Sequence, residues 1–572
     1  MKKKINKHGW INTPAPADSY RSIFKWGSAE KFKHPNNYLT ELLKDFFSLK
    51  EEYFEKPLNT GFETVSYTIP VKLEKKHIIF FQNTCGAENV KIDEYSRLKY
   101  AYGKTMYDLI RLRNKTIENL PDAVLHPKTK EEIIKIVNYC NKNKIAIYVT
   151  GGRTSVTRGT EPVKKGISLD MSTHFNNVIS FSEINQTITV EAGIMGAKLE
   201  NILNNADEKI GAKRKYTCGH FPQSFEFSTA GGWTVTHGSG QQSTYYGDIK
   251  DLVIAQEYIT PSGVIKTKSF PAEASGPSIN SIMIGNEGAF GILVNVTLKV
   301  FRYYPKNRRY FSFLFKNFKE ALNAVREINQ SEAGVPSALR LSDAEETNIA
   351  FKLYGIDDSF MAKILPILGY KKNKRCLLLG FCDGGKNYTA LVKKNIKKIS
   401  KTNKSINITG YPAKKWEKNR FKDPYMRDDF QDFGIITDTL ETSVTWENIL
   451  EVYNAVRAFC KSRPETIVMI HLSHFYVSGT NLYIIFTGRF NSIKDFTAFQ
   501  KGIIDTIISH GGSLSHHHGI GKLLAPWFEN YLGKNELGII KSIKTYLDPK
   551  NIMNPGGTLG LDKINKSKNY TK

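Results

Sequence analysis

Cysteine is scarce in this chain, with six residues among 572. Cys85, Cys140, Cys218, Cys376, Cys382 and Cys460 are scattered and form no CxxC pair. That excludes a disulfide scaffold and a cysteine-rich zinc site, and it points to a reducing compartment. Long apolar runs are missing as well: nothing reaches the roughly 18 residues of a membrane-spanning helix. The basic start Met1-Lys2-Lys3-Lys4 has no apolar segment after it, so no secretion signal is expected. The end Asn569-Tyr570-Thr571-Lys572 is no peroxisomal Ser-Lys-Leu, which leaves the cytoplasm as the expected location. Acidic residues are in deficit, 55 against 81 Lys and Arg, for a formal charge of +26. RNP-like aromatics, zinc fingers and helix-turn-helix signatures are absent, so nucleic acid is not an expected partner. The lysines are densest at residues 371–375, 393–404 and 414–415. A solvated basic surface accounts for them. Peripheral contact with an anionic membrane is the next reading, since each basic residue there is worth about 1 kcal/mol.

What the chain does have is concentrated near its end, in Ser513-Leu514-Ser515-His516-His517-His518-Gly519-Ile520-Gly521-Lys522, preceded by Gly511-Gly512. Imidazole titrates near neutrality, so such a tract suits proton transfer. The glycines let backbone approach a flat ligand. A metal cluster is a competing reading. Three consecutive side chains diverge, however, and no Cys or carboxylate stands beside them at ligand spacing, so no metal is expected.

Periodicity sharpens after Pro121. Ile133, Ile134, Ile136, Val137 and Cys140 predict a helix over residues 130–143. A strand over 144–149 and another over 167–170 follow. A hairpin is predicted over 178–190, a helix over 195–205, a further βαβ-like arrangement near 252–255 and a strand over 294–300. From about Tyr303 strands such as 310–315 and 481–486 alternate with helices such as 318–328. This reads as α+β, with a mostly helical return segment at the end.

Three glycine-bearing loops stand out. Val149-Thr150-Gly151-Gly152-Arg153-Thr154-Ser155 ends a strand, where consecutive N–H groups can cradle a diphosphate, although a plain tight turn explains it about as well. Gln223-Ser224-Phe225-Glu226-Phe227-Ser228-Thr229 leads to Thr236-His237-Gly238-Ser239. Glu287-Gly288-Ala289-Phe290-Gly291-Ile292-Leu293 precedes a strand. Three such loops in one region suggest a large ligand with a diphosphate and a planar ring.

In their order, these segments resemble the FAD-binding (PCMH-type) domain of the vanillyl-alcohol-oxidase-type flavoproteins. With Gly219-His220-Phe221-Pro222-Gln223-Ser224 and the histidine tract, they resemble the alkyldihydroxyacetonephosphate synthase family in particular. The resemblance implies an N-terminal extension over 1–115 and a two-subdomain FAD-binding domain over 116–302. A substrate-binding cap with an antiparallel sheet would cover 303–505, and a C-terminal segment over 506–572 would return to the flavin. The three loops would contact non-covalently bound FAD. By position alone Tyr483 reads as a core aromatic and Arg427 as an ordinary cation. The resemblance makes Tyr483 the general acid/base and Arg427 the substrate-binding arginine, and it implies that Arg340, His220, His516, His517 and His518 are needed for catalysis.

The implied reaction exchanges the acyl chain of acyl-dihydroxyacetone phosphate for a long-chain fatty alcohol through a flavin N5 covalent adduct, without net redox. A homodimer is implied too. Two features depart from the pattern. Arg153 stands where a third glycine is usual, and His471 where an arginine is expected. The stretch Asp548-Pro549-Lys550-Asn551-Ile552-Met553-Asn554-Pro555-Gly556-Gly557 resembles instead the ending of FAD-linked 2-hydroxyacid (D-lactate or glycolate) dehydrogenases, the alternative function. A polyanion-binding protein with a vestigial flavin fold rests on the charge alone.

Overall fold

The computed structural model describes residues 8–354, 356–357 and 363–562. Its first sheet holds β1 (Val90–Lys91), β2 (Ala123–Leu125), β3 (Ile147–Thr150) and β4 (Ile167–Asp170) in the order β1-β2-β4-β3, with β2, β4 and β3 parallel. The helix Lys130–Asn143 makes the crossover between β2 and β3 and matches its apolar spacing. Thr129 caps it by accepting the Glu132 N–H, and Ile133, Ile136, Val137 and Cys140 bury against Leu125, Ile147 and Leu169.

The second sheet takes β5 (Val178–Ser182) and β6 (Thr187–Glu191), which form the predicted hairpin. After the short β7 (Tyr216–Thr217) it adds β8 (Val253–Thr260), β9 (Gly263–Lys266) and β10 (Ile292–Lys299) in the order β5-β6-β10-β8-β9. Here the βαβ expectation is corrected, because β8 pairs antiparallel with both β9 and β10. A tight turn closing at Gly263 (φ +129°) folds β9 straight back on β8, and an apolar run carries no record of strand direction. β11 (Phe301–Arg302) pairs with β7.

The third sheet is antiparallel and seven-stranded. It comprises β12 (Arg309–Phe315), β13 (Ala338–Ser342), β14 (Cys376–Cys382), β15 (Ile406–Asn407), β16 (Ile436–Thr445), β17 (Ile467–Leu472) and β18 (Gly479–Gly488), ordered β15-β12-β14-β13-β17-β18-β16. Period-two alternation gives its strands two jobs. Leu339 and Leu341, Val468 and Ile470, and Leu482, Ile484 and Phe486 pack in the main core. The core also takes up helices Phe318–Gln330, Ile449–Ser462 and Ile493–Ser509. Their neighbours Arg340 and Ser342, Met469 and His471, and Tyr483 and Ile485 face a cavity on the other side.

Residues 1–110 read as a poorly periodic extension, but the structure packs the described part of it, from His8 on, into the body. Arg21 grips Asp432 with two 3.0 Å hydrogen bonds, and Arg113 adds one of 2.5 Å to the same carboxylate. Leu39 and Leu43 of helix Asn37–Phe47 pack with Met426 and Phe430. These helices are short and each meets several partners, so no single apolar period marks them. At the other end the chain returns to the first sheet, where Met553 bridges Ile147 in parallel and the Asn554 N–H donates to the Ile147 carbonyl at 2.8 Å. No described helix is long and apolar enough to cross a membrane.

Candidate active site

A cavity of about 610 Å³ lies between the third sheet and the loops of the first two. Val149, Thr150, Gly151, Gly152, Arg153, Thr154 and Ser155 all line it, as do Gln223, Ser224, Ser228, Thr229, Thr236, Gly238, Ser239, Glu287, Gly288, Gly291 and Leu293. Seven residues expected at the ligand turn away. Phe225 stacks on Phe421 and Trp233, and Glu226 pairs with Lys31 at 3.3 Å. Phe227 and His237 do not reach the wall, and Ala289, Phe290 and Ile292 are buried in core. A loop written as a contiguous block cannot aim every side chain one way.

The cradle at the end of β3 fits a diphosphate. Among the described residues, the N–H groups of Gly152, Arg153, Thr154 and Ser155 have no protein acceptor. A Cβ on Gly152 would stand 1.8 Å from the Phe227 carbonyl oxygen, so only glycine lets the loop close. Arg153 adopts the left-handed φ of +56° that a glycine would take easily, and its guanidinium stacks over Tyr100 at 4.8 Å. Free donors in a concave turn complement an anion. Opposite, Glu287 is buried and accepts the N–H groups of Ile520 and Gly521, each at 2.7 Å. Burial outweighs those donors and pushes its carboxyl up to about 7.

At the centre, Tyr483 stacks against His471 with ring centroids 4.8 Å apart and stands near His517 and His518 at 6.0 and 5.8 Å. Burial pushes its phenol up to about 12, so it stays protonated. Arg340 donates to Glu346 Oε1 at 2.6 Å, and His471 Nδ1 lies 3.2 Å from the same oxygen and 3.1 Å from Arg340 Nη2. Burial works against the Glu346 carboxylate, but Arg340 and His471 hold its pKa well below the usual range.

The histidine tract is held by its backbone. Glu441, opposite Tyr483 in the ladder, accepts Ser515 Oγ at 2.7 Å and the N–H groups of His516, His517 and His518 at 2.7, 3.2 and 3.0 Å. Burial lowers the pKa of all three imidazoles, so they are neutral at physiological pH. His517 and His518 line the cavity. His516 turns aside to Tyr476, whose hydroxyl lies 2.7 Å from its Nε2. His220 also faces the cavity, its ring 4.9 Å from Trp233 and both nitrogens without partners. Burial lowers it to about 4.

Two buried guanidinium groups complete the wall. Arg427 spends one donor on the Lys104 carbonyl at 3.3 Å and leaves Nε and Nη2 unpartnered. Arg420 donates to Gln242 at 2.9 Å and leaves Nε and Nη1 unpartnered. Burial lowers the pKa of Arg420 to about 10 and that of Arg427 as well. Buried free donors of this charge call for an anion. Beyond them the cavity turns apolar, with Leu39, Leu43, Ile349, Phe351, Met426 and Phe430.

The sequence reading brought out Tyr483, Arg340, Arg427, His220, His517 and His518, and the structure gathers these six around the one cavity. It missed Glu441, Glu346, Arg420 and His474, lone residues without a motif. A model described as FAD binding domain matches residues 121–268, and one described as FAD linked oxidases, C-terminal domain, matches residues 304–558. The alkyldihydroxyacetonephosphate synthase of Dictyostelium discoideum is 32% identical over 488 residues, 82% of this chain and 78% of that protein. An uncharacterized FAD-linked oxidoreductase of Escherichia coli, YgcU, is 28% identical over 78% of this chain and 90% of its own. A solved alkyldihydroxyacetonephosphate synthase superposes with a TM-score of 0.79 at 26% identity, covering 96% of this chain and all of its own.

Proposed function

The chain belongs to the FAD-linked oxidases, with a PCMH-type FAD-binding domain and an antiparallel-sheet partner domain, and on that premise we propose that it exchanges the acyl chain of acyl-dihydroxyacetone phosphate for a long-chain fatty alcohol. One observation carries this reading: a single cavity joins a diphosphate cradle, two buried arginines with free donors and an apolar end. A simple hydroxyacid needs no long apolar wall.

FAD fits the cradle through the free N–H groups of residues 152–155, and we read it as held without a covalent bond, as the sequence resemblance implies. When bound, the flavin supplies a nucleophilic ring nitrogen, with no net redox. The chain's own groups do the rest. Arg427 and Arg420 hold the phosphate through charge-assisted bonds, which Lys would not reproduce bidentately. The protonated Tyr483 donates where the fatty carboxylate departs. A neutral imidazole beside it takes the proton of the entering alcohol, and such a pair is worth about 10²–10⁴-fold. The apolar wall would exclude water and so favour the alcohol over hydroxide as the entering group.

Incubation with acyl-dihydroxyacetone phosphate and labelled hexadecanol tests the proposal. Labelled ether product without an electron acceptor supports it. Acceptor-dependent oxidation of D-lactate or glycolate, with no ether product, would replace it by the dehydrogenase reading.

A further inference from the structure

Three imidazoles converge beside the cavity from two distant stretches of chain. His474 comes from the turn after β17, and His516 and His517 come from the tract. One ring nitrogen of each lies within 4.8 Å of one from each of the others. Consecutive side chains do diverge: His516 and His517 converge on His474 while His518 stays outside the trio, although the Nδ1 atoms of His517 and His518 lie 3.5 and 3.6 Å from Glu441. The third nitrogen is supplied by His474, which no spacing rule could have found.

Two details show what the trio is set up to hold. The Nδ1 atoms of His516 and His517 face each other at 2.9 Å, so a proton or a cation must lie between two nitrogens that otherwise repel. His474 Nε2 is buried and has no hydrogen-bond partner. A bare ring nitrogen of that kind costs about 1–3 kcal/mol to bury. The surroundings then set the tautomer of His516. The Tyr476 hydroxyl donates to Asp248 at 2.8 Å, so its oxygen accepts from His516 Nε2–H at 2.7 Å, and the lone pair of Nδ1 is left facing the trio. A carboxylate relayed to the far nitrogen is how metal-binding imidazoles are oriented. Ser473 Oγ, 3.0 Å from His474 Nδ1, steadies the second ring in the same way.

The geometry points to a site for a divalent first-row transition metal at His474, His516 and His517, with its remaining coordination position open to the cavity that His474 and His517 line. An all-nitrogen donor set suits zinc or its neighbours and not magnesium or calcium, which take oxygen. Three protein ligands and an open fourth position are the arrangement of reactive rather than sealed zinc sites. A metal here offers its open position to an anionic oxygen of whatever occupies the cavity. It also takes His516 and His517 out of proton transfer and leaves that role to Tyr483 and His518. The inference stands on the trio's geometry and not on the exchange reaction.

Titration of the untagged, chelator-stripped, FAD-loaded protein with Co²⁺ alone tests it. The expected result is a saturable ligand-field band of tetrahedral intensity at one equivalent, displaced by Zn²⁺. His474→Ala and His516→Ala should each weaken binding at least about 100-fold, and Tyr476→Phe by about 10–100-fold, with flavin content and thermal midpoint reporting intact folding. A wild-type protein without a saturable band overturns the site even if both alanine variants fail to fold. Equally, Co²⁺ affinity unchanged in a well-folded His474→Ala protein overturns it. Ether-product formation is measured separately, so failure of metal binding and failure of the proposed exchange remain distinguishable.

Discussion

Glu441 accepts the main-chain N–H of His516 at 2.7 Å, and with that bond begins its hold on the whole tract. Two more N–H groups and the Ser515 hydroxyl converge on the same buried carboxylate. Glu441→Gln removes the charge and one acceptor oxygen while preserving size. Hydrogen bonds to charged groups are worth about 1.5–3 kcal/mol each, of which the amide retains part. A loss of about 2–3 kcal/mol in urea unfolding is expected, together with reduced turnover because the imidazoles lose their fixed positions. Unchanged stability would show that the tract is held by its glycines and not by the carboxylate.

Tyr483→Phe keeps the ring stacked on His471 and deletes only the hydroxyl. Turnover should fall by about 10²–10⁴-fold while FAD content and the flavin spectrum stay as in the parent protein. A variant that turns over normally would remove Tyr483 from the proton-transfer role.

Arg427→Met replaces a buried cation, two of whose donors face no partner, by an apolar side chain of similar length. Its loss should leave the thermal midpoint near the parent value. KM for a phosphorylated substrate should rise about 10–100-fold, equivalent to one charge-assisted bond. Lys at this position should restore little, since a point charge does not reproduce the planar fork.

Acid should destabilise the protein earlier than its carboxylates require. His220 is lowered to about 4 from an ordinary 6.5, and His474 and His517 are lowered well below it, all by burial. The unfolded chain therefore takes up protons first as pH falls, and it binds more of them than the folded chain between those values. The stability these three rings contribute is full above about 6.5 and declines as pH falls toward 4, while Glu287, raised to about 7 by burial, contributes in the opposite sense over the same range. Thermal midpoints across that range, with flavin release followed in parallel, check the direction. Comparison with His220→Leu isolates the ring's share: its midpoint should fall less steeply below 6.5 than the parent's, and an unchanged slope would mean that His220 is solvated.

Much of the frame was legible because it repeats. The helix at 130–143 and the hairpin at 178–190 each carry a period that burial enforces over many residues. Strand polarity at β8 was not legible, since an apolar run reads the same in either direction. Within the site, Gly152 stood out by its motif and Tyr483 only through the family resemblance, whereas Glu441, Arg420 and His474 did not stand out at all. Each of these is a single polar residue whose partners come from elsewhere in the chain, and nothing local distinguishes it from a surface residue. Phe225, Phe290 and Ile292 failed the opposite way, because they sit inside legible loops while their side chains point into core.

The bridge between Ile147 and Met553 bears on how the molecule is made. Synthesis runs from the N-terminus, so the edge of β3 is complete long before the residues that cover it leave the ribosome. Through nearly the whole of elongation that edge offers unpaired amides to any neighbouring nascent chain. Nonsense codons in the final stretch should therefore yield insoluble product rather than a slightly shorter enzyme.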